Sequence, residues 1–90
     1  MVHETVTTLS AAEVLQRAKS FFAERVPANA AFPEKVGPTW MVLRGQGGEE
    51  IALSATTADG VTKVRGSTLM FDQAVGRFLS TLPAPATVGA

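Results

Sequence analysis

Apolar residues recur at helical spacing in two stretches of the chain, and each stretch carries start and stop signals. In residues 10–26, apolar positions occupy one arc of a helical wheel and charged positions occupy most of the other. Ser10, with a glutamate three residues later, has the spacing of a capping box, and Pro27 ends the stretch. Residues 72–82 repeat this pattern, with Asp72 as the expected N-cap and a proline directly after. The pattern predicts two amphipathic helices.

Between the helices, residues 39–71 are typical of three strands separated by two turns. Glycines dominate residues 45–48, and Asp59-Gly60 is a pair that favours a two-residue type I′ hairpin. Short loops of this kind join antiparallel neighbours, so we expect a three-stranded antiparallel meander. Its strands are expected at residues 39–44, 49–57 and 61–69.

The remaining stretches lack regular patterns. Residues 1–9 are rich in threonine and are expected to be irregular, and residues 83–90 are expected to be a mobile tail. Residues 27–38 contain three prolines, which is typical of a connection, and Phe32 is expected to anchor it to the core. The prediction is a single small α+β domain over residues 10–82, in the order α-β-β-β-α, with both helices on one face of the sheet.

The two turns also predict which side chains share a face. A two-residue loop at the second turn places Leu53 opposite Gly66, and a four-residue loop at the first turn places Trp40 opposite Leu53. Both registers put the same apolar set on the face that the helices are expected to cover. This set is Trp40, Val42, Ile51, Leu53, Ala55 and Val64.

The opposite face of the sheet is expected to be more apolar than a solvated face, which is mostly polar. Single exposed hydrophobic residues are normal on monomers, and scattered residues of this kind are the simpler interpretation. An apolar patch with a polar rim instead favours association with a second copy or with another protein, and an open sheet edge is a further route. The candidate interface residues are Met41, Leu43, Ala52, Leu69 and Arg65.

A small apolar ligand in a cavity between the sheet and the helices is the alternative hypothesis. Gly66 lies inside a strand, where a missing side chain either leaves space or is covered by close packing. Arg25 lies within the apolar arc of the first helix. Its guanidinium either reaches solvent, pairs with Asp72 or Glu34, or forms part of an anion site. Three strands enclose little volume, and the aromatic residues are needed to fill the core. The candidate ligand-binding residues are Trp40, Phe21, Phe78, Gly66 and Arg25.

Composition narrows the function classes. The chain has 90 residues, 46% of them hydrophobic, so it has room for one thin core. Eight basic and eight acidic residues give zero net charge, which argues against nucleic-acid binding. There are no cysteines, so disulfides, thiolate metal sites and cysteine nucleophiles are excluded. The expected partner is a second copy of this chain or another protein, and not a nucleic acid.

Catalytic groups are sparse in the sequence. The single histidine, His3, falls in the segment expected to be irregular, so it has no positioned partner for acid–base or metal chemistry. Glu49 and Glu50 are adjacent in a predicted strand and point to opposite faces. Residues 45–48 precede a strand, whereas a phosphate-binding loop precedes a helix. We therefore predict a non-enzymatic domain with no catalytic residue, no metal and no cofactor.

Two sequence patterns bear on location. No apolar run reaches the about 20 residues that a membrane span needs. The first residues also lack the basic and apolar regions of a signal peptide. The expected compartment is the cytoplasm, without a membrane span.

Overall fold

A computed structural model describes residues 2–24, 30–45, 47–69 and 71–84. Five strands and two helices follow in the order β1 (Val2–Thr7), α1 (Ala11–Glu24), β2 (Ala31–Val36), β3 (Trp40–Gly45), β4 (Glu50–Ala58), β5 (Val61–Thr68) and α2 (Asp72–Ser80). The strands form one antiparallel sheet with the spatial order β1-β5-β4-β3-β2. α1 packs on β2 and β4, and α2 packs on β1 and β5, so both helices cover the same face, here called the inner face. The α+β class is confirmed, and a five-stranded sheet replaces the expected three-stranded meander.

The first strand, β1, lies where the sequence predicts an irregular start for residues 1–9. Valine and threonine, two strand-forming residue types, supply most of β1. The expectation is wrong because β1 finds a partner in β5, with which it pairs along its whole length. The Thr7 hydroxyl donates a hydrogen bond of 2.7 Å to the carbonyl oxygen of Pro83, so β1 also holds the chain that follows α2. Residues 85–90 of the expected tail lie outside the described residues.

The connection predicted over residues 27–38 contains an edge strand, β2. A proline is compatible with an edge strand, and the register of β2 on β3 shifts between Pro33 and Lys35, as in a β-bulge. Ala31 is buried, whereas Phe32 points to the other side of the sheet and is 51% exposed. Phe32 therefore does not anchor the core, because neighbouring strand residues point to opposite faces.

The hairpin between β4 and β5 confirms the register predicted for it. Asp59 and Gly60 have positive φ angles of 55° and 80°, as a type I′ turn requires. Leu53 lies opposite Gly66, and β5 ends at Thr68. A turn of defined length and type therefore fixed every pair along these two strands.

The hairpin between β3 and β4 differs from the prediction by one residue. Arg44 pairs with Glu50, so the loop between them has five residues rather than the expected four. A hydrogen bond of 2.7 Å from the Gly45 amide to the Glu49 carbonyl oxygen closes this loop. The extra loop residue shifts β3 by one position along β4.

This shift turns β3 over. Met41 and Leu43 point to the helices and are buried, with exposed fractions of 3% and 0%, whereas Trp40 and Val42 point away from them. A slip of one residue exchanges the two faces of a strand, which is why the predicted faces of β3 are reversed. The other members of the predicted inner set keep their places, namely Ile51, Leu53, Ala55 and Val64.

The two helices begin in different ways. Ser10 caps α1 as predicted, because its hydroxyl accepts a hydrogen bond of 3.2 Å from the Glu13 amide. Asp72 is the first residue of α2 and not its N-cap; Phe71 holds that position without a side-chain cap bond. The Phe71 amide donates to the Thr68 hydroxyl at 3.1 Å, and this bond joins the end of β5 to α2.

An aromatic cluster fills the space between the two helices. The ring centroids of Phe21, Phe22 and Phe78 lie between 5.2 and 5.5 Å apart, in edge-on and tilted arrangements that aromatic rings favour. Buried aliphatic residues of the inner face complete the core beneath them. Among the described elements, no helix covers the other face of the sheet.

Candidate functional site

The face of the sheet that points away from both helices, here called the open face, carries apolar residues on its strands. The large apolar residues exposed there are Val2, Val6, Phe32 and Trp40, and Val42 is half-buried on the same face. On this face, polar residues of β5 separate the apolar residues of β1 from those of β2 and β3. A solvated sheet face is normally polar throughout, and exposed apolar groups with polar surroundings often mark a contact surface. The open face is therefore the candidate functional site.

A shallow depression of about 320 Å³ lies in the middle of the open face, and we call it the central depression. Small side chains form much of its floor, with a tryptophan and an arginine at opposite ends of one row. The two rows of residues that cross it on β3, β4 and β5 are Trp40, Ser54 and Arg65, and then Val42, Ala52 and Ser67.

Trp40 forms one wall of the central depression. Its indole ring lies against Gly37 in the turn between β2 and β3, where a larger residue has no room. The Gly37 amide also donates a hydrogen bond of 2.8 Å to the Trp40 carbonyl oxygen. Trp40 is nevertheless 41% exposed. An aromatic ring that is held in place and still exposed is typical of a residue that contacts a partner.

Arg65 forms the opposite wall of the central depression. Its guanidinium lies 4.0 Å from the Glu4 carboxylate, and both side chains are more than half exposed. Exposed ion pairs at this distance contribute little to stability. The flat guanidinium of Arg65 is therefore accessible at the surface of the open face.

A charged network lies at one end of the open face. The Arg44 guanidinium donates two hydrogen bonds to Glu34, at 2.7 and 3.0 Å, one to Glu50 at 3.1 Å and one to the Gly48 carbonyl oxygen at 2.9 Å. The hydrogen bonds from Arg44 hold the pKa of the Glu34 carboxyl below its usual range. This network ties the edge strand β2 to β4 across β3, so the charges at this end are satisfied within the chain.

The predicted interface residues divide between the two faces of the sheet. Met41 and Leu43 belong to the core, because the register of β3 turns them to the helices. Trp40 and Val42 take their places on the open face. The predicted interface residues that lie on the open face or at its edge are Ala52, Arg65 and Leu69, of which Leu69 is 87% exposed.

The space above Gly66, which the ligand hypothesis needs, is filled. A β-carbon on Gly66 would lie 2.7 Å from a methyl carbon of Val75 in α2 and 3.1 Å from a methyl carbon of Leu53 in β4. Gly66 therefore allows α2 to pack closely on the sheet.

The other candidate ligand-binding residues do not come together either. Phe21 and Phe78 lie in the aromatic cluster of the core, whereas Trp40 points to the open face on the other side of the sheet. Arg25 lies outside the described residues. The structure therefore provides no common site for Trp40 and the core aromatic residues.

A histidine–aspartate pair joins β1 to α2, and the sequence prediction missed it. His3 Nε2 lies 2.9 Å from Asp72 Oδ1. The hydrogen bond with His3 holds the pKa of the Asp72 carboxyl below its usual range. The valine and threonine content of β1 is the sequence signal that places His3 on a strand. Within the described residues, no group of three or more side chains is arranged to hold a metal ion.

Comparison with known proteins assigns no family, since no protein-family model, curated protein or solved structure matches the chain. Among the helices that the structure describes, none is long and apolar enough to cross a membrane. The geometry of the open face is therefore the basis for a functional inference.

Proposed function

We propose that this domain is a non-enzymatic assembly module that binds a second copy of itself through the open face. The observation that carries the proposal is the set of apolar residues on a sheet face that no described helix covers. Sheets bury an apolar face against another layer of structure. A second copy supplies that layer, and the same patch then serves both partners.

The size of the open face is compatible with a stable dimer. Five strands spaced about 4.8 Å apart give it a width of about 24 Å, and strands of this length give it a footprint on the order of 500 Å². A standard interface buries about 800 Å² of accessible surface per partner, and protruding side chains make the accessible area larger than the footprint. The open face is thus close to the size that specific association requires.

The charges of the open face favour a partner like itself. Arg44 lies between Glu34 and Glu50 at one end, Arg65 lies beside Glu4 on the other side, and Lys63 on β5 adds one more positive charge. The chain as a whole has zero net charge. A strongly acidic or basic partner would gain little from such a surface, whereas a second copy presents the same balance of charges.

The two edges of the sheet offer a competing route for self-association. Pro33 and the bulge protect the β2 edge, because they interrupt its row of hydrogen-bonding groups. β1 has neither proline nor bulge, so it is the more exposed edge for pairing with another strand. The experiment must therefore distinguish the open face from the β1 edge.

A charge placed in the central depression tests the proposal. We expect the wild-type chain to form dimers in sedimentation velocity runs up to about 500 µM, the range in which weak specific dimers assemble. Ala52→Glu should give a folded monomer, because association would bury an unpaired carboxylate. Gln73→Glu adds the same charge at an exposed position of α2, on the other side of the domain, so this variant should dimerise like the wild type.

Two results would contradict this proposal. A wild-type chain that stays monomeric over the whole concentration range rules out self-association through any surface. A dimer that persists in Ala52→Glu places the interface away from the open face, and the β1 edge then becomes the first surface to examine. Far-UV circular dichroism of both variants checks that the fold is unchanged.

A further inference from the structure

The first of the two rows that cross the central depression has an aromatic residue at one end and a cation at the other. Trp40 on β3 and Arg65 on β5 both pair with Ser54 on β4, so they lie in line on either side of a small residue. Their backbones are two strand spacings apart, which is about 10 Å. The next row has Ala52 at the same central position. The middle of the face is therefore low, and its two flanks carry an aromatic ring and a guanidinium.

A two-fold axis along the middle strand would bring these unlike ends together. Two copies stacked face to face, with the axis over Ser54 and Ala52, place β3 of each copy over β5 of the other. Small residues on the axis let the two sheets approach closely. Trp40 then lies across from the partner's Arg65, and the contact occurs twice because the interface is symmetric.

We propose that the dimer is held in register by this reciprocal contact, in which the indole of Trp40 packs on the guanidinium of Arg65 of the second copy. The inference rests on the proposed self-association through the open face and adds the partner group that each residue meets. Arginine stacked on tryptophan gains from a cation–π interaction, most strongly where water is excluded.

The alternative symmetry is less favourable for Arg65. A two-fold axis that lies between the two sheets and runs perpendicular to the strands places each strand over the same strand of the second copy. Trp40 then lies near Val42 of the second copy, and Arg65 lies near its Ser67. Arg65 then loses water with only Glu4, at 4.0 Å, to compensate its charge. The axis along the strands instead provides an aromatic face for the guanidinium.

Mixing two variants tests the contact directly. Trp40→Leu keeps an apolar side chain without the aromatic face, and Arg65→Gln keeps a long polar side chain without the charge. Each variant homodimer has lost both contacts, whereas the mixed dimer keeps one of them. The two variants differ in mass, so native mass spectrometry counts the three dimer species in one mixture.

The measured quantity is the square of the mixed-dimer population divided by the product of the two homodimer populations. If the residues act independently, this ratio has its statistical value of about 4. If each contact contributes about tenfold to association, the ratio rises about 100-fold above that value. We expect such an excess of the mixed dimer.

A matched mixture controls for the loss of charge. Lys63→Gln removes a positive charge from β5 on the same face, one row beyond Arg65. Trp40→Leu mixed with Lys63→Gln should give the statistical ratio, because Lys63 does not face Trp40 in this arrangement.

The outcomes separate the two proposals. A statistical ratio for Trp40→Leu with Arg65→Gln, in a protein whose wild type forms dimers, overturns the contact and leaves self-association standing. An equal excess in the Lys63→Gln mixture also overturns it, since general charge effects would then explain the result. A wild-type chain that does not dimerise removes both proposals together.

Discussion

Gly66 and Gly76 both interrupt regular elements, but their surroundings differ. The position of a Gly66 β-carbon is 2.7 Å from Val75 and 3.1 Å from Leu53, both in the core. At Gly76, on α2, no described atom lies within 4 Å of the corresponding position. Position 66 needs a glycine because α2 packs too closely on the sheet there for a side chain. Nothing in the described residues requires a glycine at position 76.

Alanine at these two positions should therefore act in opposite directions. Gly66→Ala forces Val75 and Leu53 to move, and we expect the free energy of unfolding to fall by about 1–3 kcal/mol. Gly76→Ala meets no clash and reduces the backbone freedom of the unfolded chain, so the free energy of unfolding should rise by about 0.5–1 kcal/mol. Urea denaturation of both variants measures the difference. Equal losses in the two variants would contradict close packing over Gly66.

The pairing of Asp72 with His3 makes a prediction about acid. The folded-state pKa of Asp72 lies below its ordinary value of 3.8, so the carboxylate contributes stability above about pH 4 that is lost as pH falls through the folded pKa. We expect Asp72→Asn to reduce the loss of stability between about pH 5 and pH 3, as measured by urea midpoints. His3→Gln should reduce it too. If the effect of the double variant, relative to the wild type, equals the sum of the two single-variant effects, the two residues are not coupled.

At the scale of the elements, the turn residues predict the register of the β4–β5 hairpin but not that of the β3–β4 hairpin. Asp59-Gly60 leaves little choice of loop length, so the register of β4 on β5 follows from the sequence. The glycines before Glu49 allow loops of four or five residues. The sequence of β3 does not decide between them, because it is apolar at four successive positions: Trp40, Met41, Val42 and Leu43. Without alternation, either face of β3 can be buried.

The edge strands were harder to predict than the central ones. β1 alternates weakly, and its partner β5 lies far along the chain, so no short-range turn signals the pairing. β2 contains Pro33 and a bulge, features that resemble a loop in sequence and are compatible only with an edge in structure. The sequence predicts a sheet face without a covering helix, and the described elements leave one face uncovered. Its β3 residues were reversed, because they follow from the register of β3.

The Arg44 network predicts a local effect on β2. Lysine at position 44 keeps the charge but not the bidentate geometry that joins Glu34 to Glu50. We expect Arg44→Lys to speed hydrogen exchange of the β2 amides and to leave the amides shared by β4 and β5 unchanged. Faster exchange throughout the sheet would show that Arg44 supports the whole fold, and unchanged exchange in β2 would show that the network does not hold this edge.

At the scale of the whole molecule, the domain has two layers, and its helices lie on the inner face alone. The core is formed by α1, α2 and the inner face, and the open face adds nothing to it. A mutation on the open face should therefore change association more than stability. If such mutations instead lower stability as much as core mutations do, the open face supports the monomer and the proposed interface is contradicted.

Trp40 reports on this surface without a label, because it is the only tryptophan in the chain. We expect its fluorescence maximum to move to shorter wavelength as the protein concentration rises from about 1 µM to about 500 µM, because dimer formation removes the indole from water. Ala52→Glu should show no such movement. A constant maximum in a wild-type protein that sediments as a dimer would place the interface elsewhere.

The position of β1 in the sheet also constrains folding during translation. β1 precedes β5 in the chain, yet the two strands pair, and α2 packs over both of them. On the ribosome, β2 to β5 can assemble as successive hairpins while β1, already synthesised, remains without its partner. The sheet is completed only when β5 has left the exit tunnel, so the acquisition of protease resistance by the nascent chain should depend on the emergence of residues 61–68.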